Sequence, residues 1–296
     1  MPRLFKRTIL ITGSTEGIGK EIALELASNS AENFVIIHGK RKEKCEETLD
    51  YLIKENRLEN VGNVEYVVAD FSSFYEISRM AEEVKLRFPR LNVLIACASI
   101  LNPRRVESKE GIELTLQVNH LAHFYLWNTL LSILEDNVPS RIITVGSMLH
   151  GWNPSPVDWW DDVMCEKFYD KFMQYSRTKM MNHLATFYLH RLLLKHGMQF
   201  RVTANVIDVE EKLEKKRNSN FLSISDLHLN NNNNNHGCGV HTLVRLAEGK
   251  EYENVSGKYF DAHGKQIRPA AEATDERVQN RLWELSKEIC GRFLKN

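Results

Sequence analysis

Two residues one helical turn apart have types that can move a proton. Tyr175 and Lys179 bound the stretch Tyr175-Ser176-Arg177-Thr178-Lys179, and positions i and i+4 share a helix face. A phenol ionises near pH 10 and is a poor base at neutrality. A cation close by stabilises phenolate and lowers that value. The pair can then protonate an alkoxide forming from a carbonyl, or take a proton from an alcohol, while hydride moves to or from a nicotinamide. The spacing is common, and a surface Tyr–Lys pair is the plainer alternative. Ser147 favours the chemistry: it follows a strand expected over 141–145, where a hydroxyl can bind the reacting oxygen. Asn119, in the helical stretch before that strand, is placed to hold a water linking Lys179 to solvent. Each has a duller explanation as well, Ser147 as a cap and Asn119 as a satisfied polar residue within a helix.

A second group suits a phosphate. Thr12-Gly13-Ser14-Thr15-Glu16-Gly17-Ile18-Gly19 follows an expected strand and opens an expected helix. Glycine is needed where the chain turns tightly, where backbone approaches a pyrophosphate and where helix packs on strand. The helix start offers unpaired N–H groups to phosphate oxygens. The second strand ends His38-Gly39-Lys40-Arg41. An NAD(H) site places Asp or Glu near here for the ribose 2′-hydroxyl. Lys40 and Arg41 stand there instead, which favours the 2′-phosphate of NADP(H) over NAD(H). Asp70 and Phe71 follow the third strand, where Asp70 would meet the adenine amino group or cap the helix from Ser73.

The elements that must position these groups alternate. Strands are expected over 8–12, 34–38, 64–68, 93–96, 141–145, 201–207 and 257–260, and helices over 18–29, 43–55, 73–87, 111–134, 172–196, 239–248 and 276–294. Strand–helix alternation implies an α/β, Rossmann-like, doubly wound parallel sheet of about seven strands with helices on both faces. The 296 residues are read as one domain, interrupted at 210–236 by a charged, then Asn-rich insertion in a substrate-covering lid. Formal net charge is zero, so no global field draws nucleic acid, and the basic run 212–217 is flanked by acids. Five scattered cysteines without a CxxC pair suit a reducing, cytoplasmic setting and no zinc site. No apolar run approaches the length of a membrane span. A signal peptide is not expected before the first strand, and contact at a membrane surface is left open.

The motifs resemble the short-chain dehydrogenase/reductase family over nearly the whole chain. Within it they are most similar to the retinol-dehydrogenase-like group, which includes the oxidoreductase domain of WW-domain-containing oxidoreductases. The resemblance rests on 117–124 (Gln-Val-Asn-His-Leu-Ala-His-Phe), 141–147, Tyr175 to Lys179 with Leu189-His190-Arg191, and Ser256-Gly257-Lys258-Tyr259-Phe260. It implies Tyr175 as general acid/base, Lys179 lowering its pKa and bonding the nicotinamide ribose, Ser147 orienting the carbonyl and Asn119 supporting a relay water. Two departures stand out. The family's Asn-Asn-Ala-Gly is Ala96-Cys97-Ala98-Ser99, which puts Cys97 beside the cofactor ribose. Its Pro-Gly after the sixth strand is Val209-Glu210.

The resemblance further implies an entrance lined by the stretch that holds Trp152, Trp159, Trp160, Pro154 and Pro156. An apolar rim suits a small lipophilic alcohol, aldehyde or ketone, with ordinary loop packing as the alternative. His120 and His123 lack the partners of a metal site. Met180, Met181, Leu184, Phe187 and Leu192 form an apolar stripe, read as core and, by resemblance, partly as a homodimer interface through the Tyr175 helix. The expected function is NADP(H)-dependent alcohol–carbonyl interconversion. The rival is a catalytically weak binding or scaffold protein, motivated by the two departures.

Overall fold

Seven short runs, rich in β-branched or aromatic residues, pair side by side in the computed structural model, which describes residues 4–58, 62–152, 158–198, 201–209 and 237–293. They are β1 Arg7–Ile11, β2 Asn33–Gly39, β3 Val64–Val68, β4 Val93–Ala96, β5 Ser140–Val145, β6 Val202–Ile207 and β7 Tyr259–Phe260. All seven are parallel, in the order β3-β2-β1-β4-β5-β6-β7. An eighth strand, β8 Gln266–Ile267, pairs antiparallel with β7. The sheet is therefore eight-stranded and mostly parallel. Two residues are too few to show an alternation, so β8 had no sequence signal. The insertion expected over 210–236, with its Asn run, and Pro154, Pro156 and Glu210 lie outside the described residues.

Both faces of the sheet are covered. Leu10, Ile36, Leu94 and Ile142 face one core with α3 Phe74–Arg87, α5 Ala122–Asp136, α6 Lys171–Lys195 and α8 Glu276–Gly291. Ile9, Ile11, Ile37, Ile95 and Ile143 face the other with α1 Gly17–Ser28, α2 Lys42–Asn56 and α7 Gly237–Glu248. Alternate residues thus bury on opposite sides, which is why these strands read as unbroken apolar runs. The chain winds outward from β1 to β3, then returns to β4 beside β1. Such a reversal leaves a crevice at the carboxyl ends of β1 and β4, where open α/β sheets bind ligands.

Two helical features bear on the site. The stretch expected as one helix over 111–134 is α4 Leu114–Leu116, a π turn Gln117–Leu121, then α5. The Glu113 carboxylate starts it, accepting the N–H groups of Thr115 and Leu116. A π turn offsets the helix by one residue, and Asn119 sits in its middle. The second feature is α6, begun by Asp170, which accepts the N–H groups of Phe172 and Met173. It is buried on almost every side from Met173 to Phe187. Helix α8 lies along it: Trp283 stacks on Tyr188 at 4.3 Å and meets Phe124 edge-on at 4.7 Å. Of the stripe, Met180, Met181, Leu184 and Phe187 are buried within the chain and Leu192 is partly buried, so four of its five residues serve as core. Among the described residues no helix is long and apolar enough to cross a membrane.

Candidate active site

Gly13 and Gly17 hold φ of 65° and 54°, the left-handed region that glycine enters freely. A Cβ on Gly13 would stand 2.6 Å from Ala98 Cα, whereas one on Gly17 would meet nothing. Gly13 is thus packed against the end of β4, and Gly17 faces open space. A Cβ on Gly19 would lie 2.3 Å from the Gly13 carbonyl oxygen, so its absence lets α1 close onto the loop carrying Ser14 and Thr15. Ser14 is spent on structure: it donates to the Ile11 carbonyl and accepts the His38 N–H. Helix α1 starts at Glu16 without a side-chain cap, which leaves the N–H groups around Gly17 and Ile18 for an anion.

The basic residues after β2 are on the surface, and Lys40 is engaged. Its ammonium lies 3.1 Å from Asp70 Oδ2. Burial raises the Asp70 carboxyl, but hydrogen bonds from Ser72 and the Lys40 ammonium outweigh that and hold it below its ordinary value. The helix that Asp70 was expected to cap takes its cap from Glu110, which accepts the Phe74 N–H at 2.9 Å. Phe71 is buried in a stack, its ring 4.4 Å from His38 and 5.5 Å, edge-on, from His123.

Lys179 and Ser147 meet at the carboxyl end of β5, Tyr175 stands beside Lys179, and Asn119 reaches the same helix at Thr178. Lys179 Nζ sits 5.3 Å from the centre of the Tyr175 ring and donates to the Val145 carbonyl at 3.0 Å. Ser147 comes two residues later, fully buried, its hydroxyl accepting the Leu149 N–H. Ser176, beside Tyr175, sets its hydroxyl against the carbonyls of Leu149 and Trp152, tying α6 to that turn. The Asn119 side chain clamps Ile100, accepting its N–H at 2.7 Å and donating to its carbonyl at 3.0 Å, and it also reaches Thr178. Both dull explanations therefore hold alongside the convergence: Ser147 caps a turn, and Asn119 is satisfied. The Asn119 carbonyl accepts from Asn182 and from His123.

The chain that carries this glycine loop, Ser147 and the Tyr175–Lys179 turn is similar to known proteins. The family profile described as short chain dehydrogenase matches residues 7–157. Human retinol dehydrogenase 14 is 31% identical over 96% of this chain and 86% of its own length. The chain belongs to the short-chain dehydrogenase family. The WW domain-containing oxidoreductase of Gallus gallus is 28% identical over 96% of the chain and 68% of its own length. Among solved structures, a putative uncharacterized protein from Mycobacterium Paratuberculosis superposes with a TM-score of 0.74 at 23% identity, covering 98% of this chain and 96% of that one. The RhlG/NADP active-site complex of Pseudomonas aeruginosa gives 0.62 at 21%, covering 89% and 98%. These two likenesses are to the fold.

This short-chain dehydrogenase meets the family's altered strand ends in its own way. With Cys97 in place of asparagine, the Thr12 hydroxyl gathers the β4 end. It accepts the N–H groups of Cys97 and Ala98 at 2.9 and 3.0 Å and donates to His123 Nε2 at 2.9 Å. Burial pushes the Cys97 thiol up to about 11, against a lowering by Lys179. Val209 is buried, and a Cβ on Gly239 would fall 2.1 Å from its carbonyl oxygen, so α7 closes over that position.

Sequence reasoning passed over Thr12 and His38. His38 Nδ1 accepts the Gly13 N–H at 3.1 Å while Nε2 donates to the Ala69 carbonyl at 3.0 Å. Their only signal was position, one before the first glycine and one at the end of β2. Of the tryptophans, Trp159 bonds Glu272, Trp160 stacks on Trp159 and lies under Arg281, and Trp152 is exposed. Trp159 and Trp160 are thus held by packing, and each also lines a cavity. A cavity of about 190 Å³ runs between His150, Trp159, Ser176 and Met180, on the flank of the Tyr175 helix. A larger open groove of about 630 Å³ between Trp160 and α8 contains none of the expected site residues. Among the described residues no group of three or more His, Cys, Asp or Glu is arranged to hold a metal ion.

Proposed function

We propose that the chain interconverts a small lipophilic alcohol and its aldehyde or ketone, of the retinoid, steroid or lipid carbonyl class, with NADP(H). The observation that carries the reading is the buried Tyr175–Lys179 turn, anchored through Lys179 to the Val145 carbonyl two residues before Ser147. Tyr175 gives or takes the proton. Lys179 favours its phenolate and bonds the nicotinamide ribose. Ser147 orients the carbonyl oxygen, and Asn119 holds the π turn against Ile100 beside α6 and supports the relay water.

The loop fits a dinucleotide: Gly17 opens onto space that a Cβ would invade, and α1 begins uncapped. Thr15, Gly17, Ile18 and Gly19 would hold the pyrophosphate on the turn that Gly13 and Ser14 shape through His38, and Asp70, Phe71 and Cys97 would flank adenosine and ribose. A bound nicotinamide would supply or accept the hydride. NADP(H) is favoured because Lys40 and Arg41 are exposed bases where an acid would serve NAD(H). The NADP complex of the Pseudomonas structure agrees with it. A lipophilic substrate is favoured by the retinol dehydrogenase relatives and by exposed Met148 and Trp152 just after Ser147.

The decisive measurement pairs cofactor titration with turnover on a retinoid and long-chain aldehyde panel. NADPH should bind more tightly than NADH. Tyr175→Phe should lose at least ~100-fold in turnover while keeping NADPH affinity within about threefold. Equal turnover in Tyr175→Phe and wild type defeats the mechanism, and no binding at millimolar NADPH favours the scaffold rival.

A further inference from the structure

Ser147 and Lys179 stand on different elements, yet a hydroxyl and an ammonium serving one reacting centre need a fixed spacing. Each has a buried imidazole on its own carbonyl. His150, in the 3₁₀ turn Met148–Gly151, places Nδ1 2.8 Å from the Ser147 carbonyl oxygen. Its Nε2 accepts the Ala270 N–H at 2.9 Å. Only the neutral ring with the proton on Nδ1 makes both bonds. His183, one turn beyond Lys179, places Nδ1 2.9 Å from the Lys179 carbonyl oxygen, which requires the same tautomer. The two rings then stack, centroids 4.0 Å apart and planes within 14°. Tyr259 meets both rings edge-on.

 The Tyr259 centroid lies 5.4 Å from that of His150 and 4.7 Å from that of His183.

Packing alone does not ask for this pair. His183 is fully buried, and its Nε2 has no hydrogen-bond partner among the described residues. An orphaned buried acceptor costs about 1–3 kcal/mol, which a leucine in the same space would avoid. The strand beside it also yields to the ring: a Cβ on Gly146 would stand 2.8 Å from His183 Cε1. What the imidazole offers that leucine lacks is the Nδ1 donor on the Lys179 carbonyl and a flat face for His150.

We propose that the stacked His150–His183 pair is the positioning element of the reaction centre, bridging the Ser147 and Lys179 carbonyls and so fixing the spacing of the two side chains. The proposal rests on the oxidoreductase reading above. Neither ring touches the reacting atoms; both act through the backbone of residues that do.

The test compares wild type with His183→Leu, His183→Asn, His150→Leu and the double leucine variant, using NADPH and the aldehyde panel. It reads kcat, KM, the NADPH dissociation constant and, without cofactor, the imidazole ¹⁵N shifts. Both rings should carry the proton on Nδ1. His183→Leu should lose roughly 10–100-fold in kcat, the scale of a small misplacement, with KM and NADPH affinity within about threefold. His183→Asn, whose amide can donate where Nδ1 did, should recover most of that. The double variant should be little worse than either single one. Wild-type kcat in the leucine variants, equal loss in His183→Leu and His183→Asn, loss shared by NADPH affinity, or an Nε2 proton on His183 overturns the proposal. If His183→Leu does not fold, His150→Leu, at the rim of the cavity, carries the same readings. A wild-type chain that binds NADPH but turns over no carbonyl overturns the oxidoreductase reading and the proposal with it. Active wild type with undisturbed variants overturns the proposal alone.

Discussion

At Lys40 two uses of one charge compete. The ammonium pairs with Asp70 across 3.1 Å while its side chain remains 69% exposed. An exposed pair of this kind contributes about 0–1 kcal/mol. A hydrogen bond to a charged group is worth more, about 1.5–3 kcal/mol, so a 2′-phosphate would draw Lys40 away from the carboxylate. Lys40→Ala should therefore weaken NADPH about tenfold and leave NADH within about twofold. Asp70→Asn should tighten NADPH by releasing the lysine. Titration of both variants with both cofactors decides it: parallel shifts for NADPH and NADH would remove Lys40 from the specificity argument and leave Arg41 to carry it.

At the level of elements, what sequence made visible was whatever repeats. Strand β4 falls on the expected 93–96 because an unbroken apolar run between polar turns marks a strand covered on both faces, and the edge strand β3 falls on 64–68 with only Val64 and Val67 buried. Helix α6 lies within one residue of expectation at each end because a long stretch leaves its bounds little freedom. The π turn at Gln117–Leu121 was invisible: one extra residue in a helical pattern does not disturb the apolar spacing enough to read. Contacts between distant segments were invisible too. Nothing local marks Glu110 as the cap of α3, His183 as the neighbour of His150, or α8 as the cover of α6. The four candidate residues could be named from spacing and strand order; how each is held could not. The cover can be tested directly. Trp283 is buried between Tyr188 and Phe124, and truncating a buried tryptophan costs about 3–5 kcal/mol. Trp283→Ala should lower the urea midpoint accordingly. A change below about 0.5 kcal/mol would mean that α8 does not hold this face.

Over the whole molecule, the histidines set a limit on acid stability. Burial lowers His38 and His120 to about 4 and His123 to about 3, and lowers His150 and His183 as well. In the unfolded chain these rings take up protons near 6.5. Below that pH the unfolded state binds more protons than the folded one, so stability falls as pH falls. The loss begins near 6.5 and levels off only once the folded rings protonate, near 4 or 3. At pH 5 each ring has lost about 1.5 units' worth, roughly 2 kcal/mol at 1.36 kcal/mol per unit. His38, His120 and His123 together then remove roughly 6 kcal/mol, a large part of the 5–15 kcal/mol typical of a folded protein. Carboxylates do not confuse this window. Asp70 is held below its ordinary value and Asp275 at about 2, so their contributions persist until the pH drops below about 4. The urea midpoint should therefore fall steeply between pH 7 and 5, above the range in which Asp70 and Asp275 take up protons. His120→Asn keeps a donor toward Asn182 but cannot take up a proton. It should be less stable than wild type at pH 7.5 and lose less on going to pH 5, so the two curves converge. Equal midpoints at pH 7.5 and 5 in wild type would mean that these rings are hydrated or already charged in the folded chain. The His38 bond to the Gly13 N–H, which needs a bare Nδ1, would then have to be abandoned along with the neutral stack.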